Sequence, residues 1–236
     1  MRVFFSSPRT QQQAEHLASR PVLLSFTTWA PWLSKGYVSS FDRLLLDSGA
    51  FSALNSGQIV DNSRYREWVE AFAPTPGGYV NAFASLDSID GDYRKSIKHL
   101  DEFPGSFPTF HPGSDPPELV DDLIPYAEAS HGKFMGIGVV PGRHGSRHGW
   151  HSEIADVLEK IPAHIHVHGW ALRIYSYFPR IDSSDSTTWW QDAQAIRKQV
   201  PWLSFGEALD IAILRIERTG RHTAPKSDDE GQIDLL

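Results

Sequence analysis

The chain has 236 residues, no cysteine, and 22 Lys and Arg against 29 Asp and Glu, for a formal net charge of −7. That length holds one large domain or two small ones; the absent thiols exclude disulfides, thiolate nucleophiles and Cys-held zinc or iron–sulfur centres, and the acidic balance argues against a surface coated in basic charge for nucleic acid. No apolar run approaches the roughly 18 residues of a membrane span, and Met1-Arg2-Val3-Phe4-Phe5-Ser6-Ser7-Pro8 lacks a signal-peptide pattern, so a soluble, cytoplasmic protein is expected.

In chain order, short runs rich in β-branched and aromatic residues alternate with segments of helical period. Strands are expected at about Val3–Ser6, Val22–Thr27, Arg43–Leu46, Tyr79–Leu86, Phe107–Phe110, Phe134–Val139, Ile165–His168 and Arg180–Ser183. Helices are expected at Gln11–Ser19, Ser63–Phe72, Asp92–Glu102, Pro117–Ala129, Ser152–Lys160, Thr188–Gln199 and Phe205–Arg218. Asn62-Ser63 and Ser152 supply N-cap chemistry at two of the starts. The link Trp29–Asp42 contains Pro31 and Gly36 and shows little helical pattern. Eight alternating strands match an α/β fold, a (β/α)8 TIM-like barrel in a single domain over residues 1–219, better than an open sheet with a Gly-rich nucleotide turn. Residues 220–236, polar and of net charge −2, read as a disordered C-terminal tail.

A barrel of this kind does its chemistry where its strands end. Here those ends read Asp47-Ser48-Gly49-Ala50-Phe51, Leu86-Asp87-Ser88, His111-Pro112-Gly113, Gly136-Ile137-Gly138, His168-Gly169 and Ser183-Ser184-Asp185-Ser186. Three carboxylates and two histidines thus converge on one rim. A buried carboxylate is costly unless hydrogen-bonded or paired. Asp47, directly after three leucines, either caps a turn or takes part in chemistry, and three such aspartates at strand ends favour chemistry.

In His164-Ile165-His166-Val167-His168 the period of two sends the histidines into the barrel and Ile165 and Val167 toward the helices. His-x-His on a barrel strand can ligate zinc or manganese, with Asp185 completing the shell. The further ligands of such a hydrolase are not evident, and neutral, hydrogen-bonded histidines are the preferred expectation. The segment Pro141–His151, read as a loop, carries two arginines, three histidines and no acid. Arginine forks match phosphate oxygens, so Arg143, Arg147, Arg173 and Arg180 are the phosphate candidates. Trp150, Trp170, Trp189 and Trp190 lie in or beside rim loops, with ordinary packing the expectation for each and base stacking the alternative.

The ordered series Asp47-Ser48-Gly49-Ala50-Phe51-Ser52, Ser85-Leu86-Asp87, Phe110-His111-Pro112-Gly113, Gly136-Ile137-Gly138, His168-Gly169 and Ser184-Asp185-Ser186-Thr187-Thr188-Trp189 resembles the tRNA-guanine transglycosylase superfamily. It is most similar to the short DNA-modifying branch, the deazaguanine DNA transglycosylases of phages and bacterial modification systems. The resemblance spans about Leu44 to Trp190. It implies a (β/α)8 barrel, no cofactor, and a pentosyltransferase that exchanges guanine in DNA for a free 7-deazaguanine base, such as 7-cyano-7-deazaguanine, through a covalent glycosyl-enzyme intermediate.

By motif position the resemblance makes Asp185 the nucleophile at C1′, Asp47 the general acid/base, and Asp87 the carboxylate that reads the guanine Watson–Crick edge. Gly138 falls where backbone amides meet the base, and Ser48, Gly49, Phe51, His111, Gly136, His168 and Gly169 complete the implied base pocket. The family's Cys-ligated zinc subdomain is lost with the cysteines. Ala50 and Ser52 stand where a second Gly and a Gln are usual, which favours the DNA-acting branch. A tRNA-acting enzyme and a metal-dependent hydrolase using His166, His168 and Asp185 are the rival readings. A base inside a duplex must be flipped out to be exchanged.

Overall fold

The computed structural model describes residues 1–30, 33, 35–72, 80–87, 92–138 and 147–221. The first half of the alternation is β1 (Arg2–Ser6), α1 (Gln11–His16), β2 (Pro21–Ser25), α2 (Lys35–Val38), β3 (Arg43–Asp47), α3 (Ala50–Asn55), α4 (Asn62–Phe72), β4 (Val80–Phe83) and α5 (Tyr93–Glu102). The second half is β5 (Thr109–Phe110), α6 (Leu119–Ala129), β6 (Phe134–Ile137), α7 (Arg147–Lys160), β7 (His166–Gly169), α8 (Leu172–Tyr175), β8 (Ser183–Ser186), α9 (Trp189–Gln199) and α10 (Phe205–Arg221).

The strands run parallel in the order β4-β3-β2-β1-β8-β7-β6-β5. A parallel bridge between Ala84 and Phe107 joins the two ends of that order, with Ser85 N–H donating to Phe107 O and Phe107 N–H to Phe83 O, each at 2.9 Å. The sheet therefore closes on itself, as the alternation predicts for a (β/α)8 barrel.

Period-two strands give the barrel an inside and an outside. Phe4, Leu23, Leu45, Ala82, Ala84, Phe107 and Phe134 fill the interior as one apolar layer, with Trp170 packed against it. Their neighbours face outward: Val3, Phe5, Val22, Leu24, Leu44 and Leu46 pack with residues of α1, α4, α9 and α10, while Met135, Ile137 and Val167 pack with α6 and α7. Leu44-Leu45-Leu46 is thus a strand buried on both faces, as parallel sheets require.

Several boundaries move. The last strand is Ser183–Ser186 rather than Arg180–Ser183, because Ile181, the apolar residue that marked it, is buried just before the strand while Ser-Ser-Asp-Ser forms the strand itself. The segment Pro141–His151 is not loop throughout: α7 begins at Arg147, five residues before the expected Ser152. α2, α3 and α8 are short helices that no apolar period announced. α10 runs to Arg221, past residue 219, and residues 222–236 lie outside the described residues. Among the described residues no helix is long and apolar enough to cross a membrane.

Candidate active site

Above the apolar layer, at the C-terminal ends of the strands, lies a cavity of about 860 Å³. Asp47, Asp87 and Asp185 all line it, from β3, the segment four residues beyond β4, and β8. Ser48, Phe51, His111 and Gly138 line it as well.

Asp47 follows Leu46 at the mouth of β3, where alternation turns it inward. Gly49 takes φ +71°, and the turn aims the amides of Ser48 and Gly49 at the carboxylate, with the Ser25 hydroxyl as a third donor. A Cβ at Gly49 would overlap Thr27 and lie 2.6 Å from Ser25 Oγ, so glycine is required on two counts. Burial nevertheless outweighs the three donors and raises the Asp47 pKa above the usual carboxylate range. Asp47 is at once a turn cap and a carboxyl whose burial favours the protonated form.

Asp185 exposes 14% of its side chain to the cavity. Burial first, then the charge of Asp47, push it up to about 7, against hydrogen bonds from the Ser6 hydroxyl and the Ala171 amide. Ala171 adopts φ 132°, a strained conformation for a residue with a side chain. Its N–H reaches Asp185 and also donates to Gly169 O at 3.0 Å.

Asp87 exposes 13% of its side chain. Burial, then the charges of Asp47 and Asp115, hold it well above the carboxylate range despite a bond from the Thr109 hydroxyl. His111 Nε2 lies 3.7 Å from Asp87 Oδ2. Burial lowers His111 to about 4, so the ring is neutral, and its backbone N–H donates to Asp115 Oδ2 at 2.7 Å. Among the described residues, five of the eight buried polar side-chain atoms without a hydrogen-bond partner belong to this group: Asp87 Oδ1, both His111 ring nitrogens, His168 Nε2 and Asp185 Oδ1. Buried polar atoms are normally satisfied. Four of the five belong to residues that line the cavity.

Of the other expected site residues, Gly138 stands in the wall and Gly136, His168 and Gly169 behind it. Gly138 donates its N–H to Phe110 O at 2.8 Å and accepts from Tyr175 Oη at 2.8 Å, so it meets no base through its own amide. Its role is room, since a Cβ there would overlap the His111 ring. Gly136 makes room for Thr109 and the Trp170 indole, and Gly169 for Tyr175. His168 is fully buried beneath Asp185, away from the cavity lining. His166 is half-buried lower on the same strand, with its ring stacked on Phe134 at 4.1 Å. His164 does not face inward: it precedes β7, is exposed, and pairs with Glu128 at 3.1 Å. Among the described residues no group of three or more His, Asp or Glu is disposed to hold a metal ion. His166, His168 and Asp185 therefore do not assemble the ligand set that the rival hydrolase reading needs.

The phosphate candidates also change. Arg180 faces the opposite end of the barrel, where it donates to Asp182 at 2.7 Å and to the carbonyls of Pro162 and Ile165. The reason is its place before β8, at the N-terminal end of the strands. Arg143 lies outside the described residues; Arg147 opens α7 and Arg173 sits in α8, and their side chains are likewise outside. The described cations at the cavity are Arg9, three residues beyond β1, and Arg215 on α10. Arg9 lies 5.4 Å over the Trp190 ring. Of the tryptophans, Trp170 and Trp190 line the cavity, whereas Trp189 is buried with its indole N–H on Ser6 O. Phe51 stands 47% exposed at the cavity. Arg9, Ser6, Ser25 and Thr109 had one legible signal, their position at or beyond strand ends; Arg215 had none.

Neither a scan against protein-family profiles nor a search among curated proteins finds a match for this chain. Fold and site by themselves define a (β/α)8 barrel with a three-carboxylate cavity at the C-terminal ends of its strands.

Proposed function

We propose that this barrel is a transglycosylase that exchanges guanine in DNA for a free 7-deazaguanine base, such as 7-cyano-7-deazaguanine. One observation carries the reading: three aspartates, on β3, beyond β4 and on β8, each with a raised pKa, surround one cavity in the order of the motifs that resemble the transglycosylases. Such a cavity is large enough for a nucleoside and its flanking groups.

Asp185 attacks C1′ of the flipped nucleotide as the guanine leaves, forming a glycosyl ester and stabilising the oxocarbenium-like transition state. Asp47, whose burial favours its protonated form, delivers a proton to the departing base and takes one from the incoming base. Asp87 accepts N1–H and N2–H of guanine together, a two-pronged contact adenine cannot supply. The second base attacks C1′ and frees Asp185, so two displacements retain the anomeric configuration. Phe51 offers an exposed ring to stack on a base, and Arg9 and Arg215 meet backbone phosphates.

The test is incubation of the protein with guanine-containing DNA, or with tRNA, and the free deazaguanine, followed by digestion to nucleosides and mass analysis. The modified deoxynucleoside is expected with wild type and not with Asp185→Ala. Equal product from both proteins would remove Asp185 from the reaction, and product only with tRNA would replace DNA as the substrate.

A further inference from the structure

Beneath Asp185, on the side away from the cavity, three side chains stand in line with it. His166 Nε2 lies 2.7 Å from Ser183 Oγ, and Ser183 Oγ lies 2.9 Å from His168 Nδ1. His168 Nε2 is 3.9 Å from Asp185 Oδ1. Alternation creates the line: both histidines face inward on β7, Ser183 and Asp185 face inward on β8, and the register sets His168 beside Ser183. His168 and Ser183 are fully buried, and neither His168 Nε2 nor Asp185 Oδ1 has a hydrogen-bond partner. His166, at the far end, is only half-buried.

The hydroxyl in the middle gives the line a direction. Serine has one hydrogen, so between two neutral imidazoles it must accept from one and donate to the other. Both rings are neutral: burial, more than any charge, lowers His166 to about 4 and His168 to about 3. Only two arrangements satisfy every member. In one, His166 donates through Nε2 to Ser183, Ser183 donates to His168 Nδ1, and His168 presents Nε2–H to an ionised Asp185. In the other all donors reverse, and a protonated Asp185 donates to His168 Nε2.

We propose that His166, Ser183 and His168 form a proton relay that positions and ionises Asp185 from behind; the proposal rests on Asp185 being the nucleophile. Ionisation moves one proton at each step. Asp185 gives its hydrogen to His168 Nε2, His168 gives its Nδ1 hydrogen to Ser183, Ser183 gives its own to His166 Nε2, and His166 releases its Nδ1 hydrogen to solvent. Asp185 alone changes charge, and each imidazole ends in its other tautomer. Closing the 3.9 Å gap to a hydrogen bond takes a shift of about 1 Å, of the kind that catalytic contacts make when substrate binds.

The surroundings favour that direction of flow. Asp185 faces Asp47 on β3 and His168 on β7, together with the Ser6 hydroxyl and the Ala171 amide. His168 faces His166 and Asp185, with the rings of Phe4 and Trp170 at its edges. His166 faces Asp182 on one hand and Arg2, Arg43 and Arg180 on the other. Three guanidiniums against one carboxylate discourage His166 from keeping a second proton.

The relay is tested by ¹⁵N–¹H correlation spectra of the histidine-labelled full chain between pH 5 and 8.5, which report the tautomer of each ring without requiring turnover. The expected result is that His168 and His166 both pass from the Nδ1–H to the Nε2–H form with a common midpoint near 7. Asp185→Ala abolishes the passage, and Ser183→Ala leaves His166 no longer following. A single His168 tautomer across the range, or a passage that persists in Asp185→Ala, overturns the relay even if base exchange is confirmed. Where exchange is measured, His168→Leu moves the acid limb of the pH profile upward by about one unit. His168→Gln, whose amide can still donate to Asp185 and accept from Ser183, restores it; an unmoved limb in His168→Leu also overturns the relay.

Discussion

The two ends of the barrel use charge in opposite ways. At the N-terminal end Arg180 holds Asp182 and two carbonyls, and Asp182 in turn accepts the Val167 amide at 2.8 Å. At the C-terminal end Asp87, Asp185 and His111 are more deeply enclosed than that pair, yet keep atoms without partners. Burying a polar group without a hydrogen bond costs on the order of 1–3 kcal/mol. A protein carries such a cost where the missing partner is a ligand, so satisfied charges mark the scaffold and unsatisfied ones mark the work.

The sharpest break between the ends is expected in activity. Asp185→Ala should lower base exchange by about four orders of magnitude or more, and Asp47→Asn by about 10²–10⁴-fold; nucleoside mass analysis reads both. Gly138→Ala, which drives a methyl into the His111 ring, should lower kcat/KM by about 10–100-fold, because roughly 1 Å of displacement at a reacting centre can cost that much. If kcat/KM stays at the wild-type value, His111 is not part of the cavity's chemistry.

Stability separates the ends next. Asp185 titrates near 7 in the fold against 3.8 unfolded, so the native state binds the extra proton and this contribution is lost as pH rises through about 7. His111 and His168, lowered to about 4 and 3, act in the other direction: their contribution is lost as pH falls from 6.5 through those values. Asp185→Asn should therefore be more stable than wild type at pH 8 by at most about 4 kcal/mol. At pH 5 the gain should fall to roughly 1–2 kcal/mol, because native Asp185 is protonated while the unfolded carboxyl is still ionised, and it should vanish only below the unfolded value of 3.8; thermal melts at the two pH values check the sign.

Arg180→Ala should cost about 1–3 kcal/mol of stability while leaving KM for DNA unchanged. Arg9→Ala should do the reverse, with an unchanged melting temperature and a salt slope of DNA binding reduced by about one. A KM effect from Arg180→Ala would erase the distinction between the two ends.

Much of this was legible in the chain. Leu44-Leu45-Leu46-Asp47 announces both a strand buried on two faces and the carboxylate at its mouth, because the period of two and the polarity change are local facts. The same period correctly turned His166 and His168 inward. It failed at His164, where the strand had not yet begun, and at Arg180, whose side of the barrel depends on where β8 starts. Ser183-Ser184-Asp185-Ser186 carries no apolar signal, since its register comes from the strands on either side rather than from its own residues. Arg215 entered the site from α10 through packing that no local pattern encodes. The strained Ala171 is equally invisible, since nothing about alanine requests a positive φ.

The central claim is that Asp185 becomes covalently joined to the nucleotide. Wild-type protein acid-quenched during turnover with a guanine-containing oligonucleotide, then digested and mapped by mass, tests it directly. The account predicts a peptide containing Asp185 that carries the oligonucleotide less one guanine base, and no such adduct in Asp185→Ala. Base exchange that proceeds with no adduct, or with the adduct on Asp47 or Asp87, would contradict it.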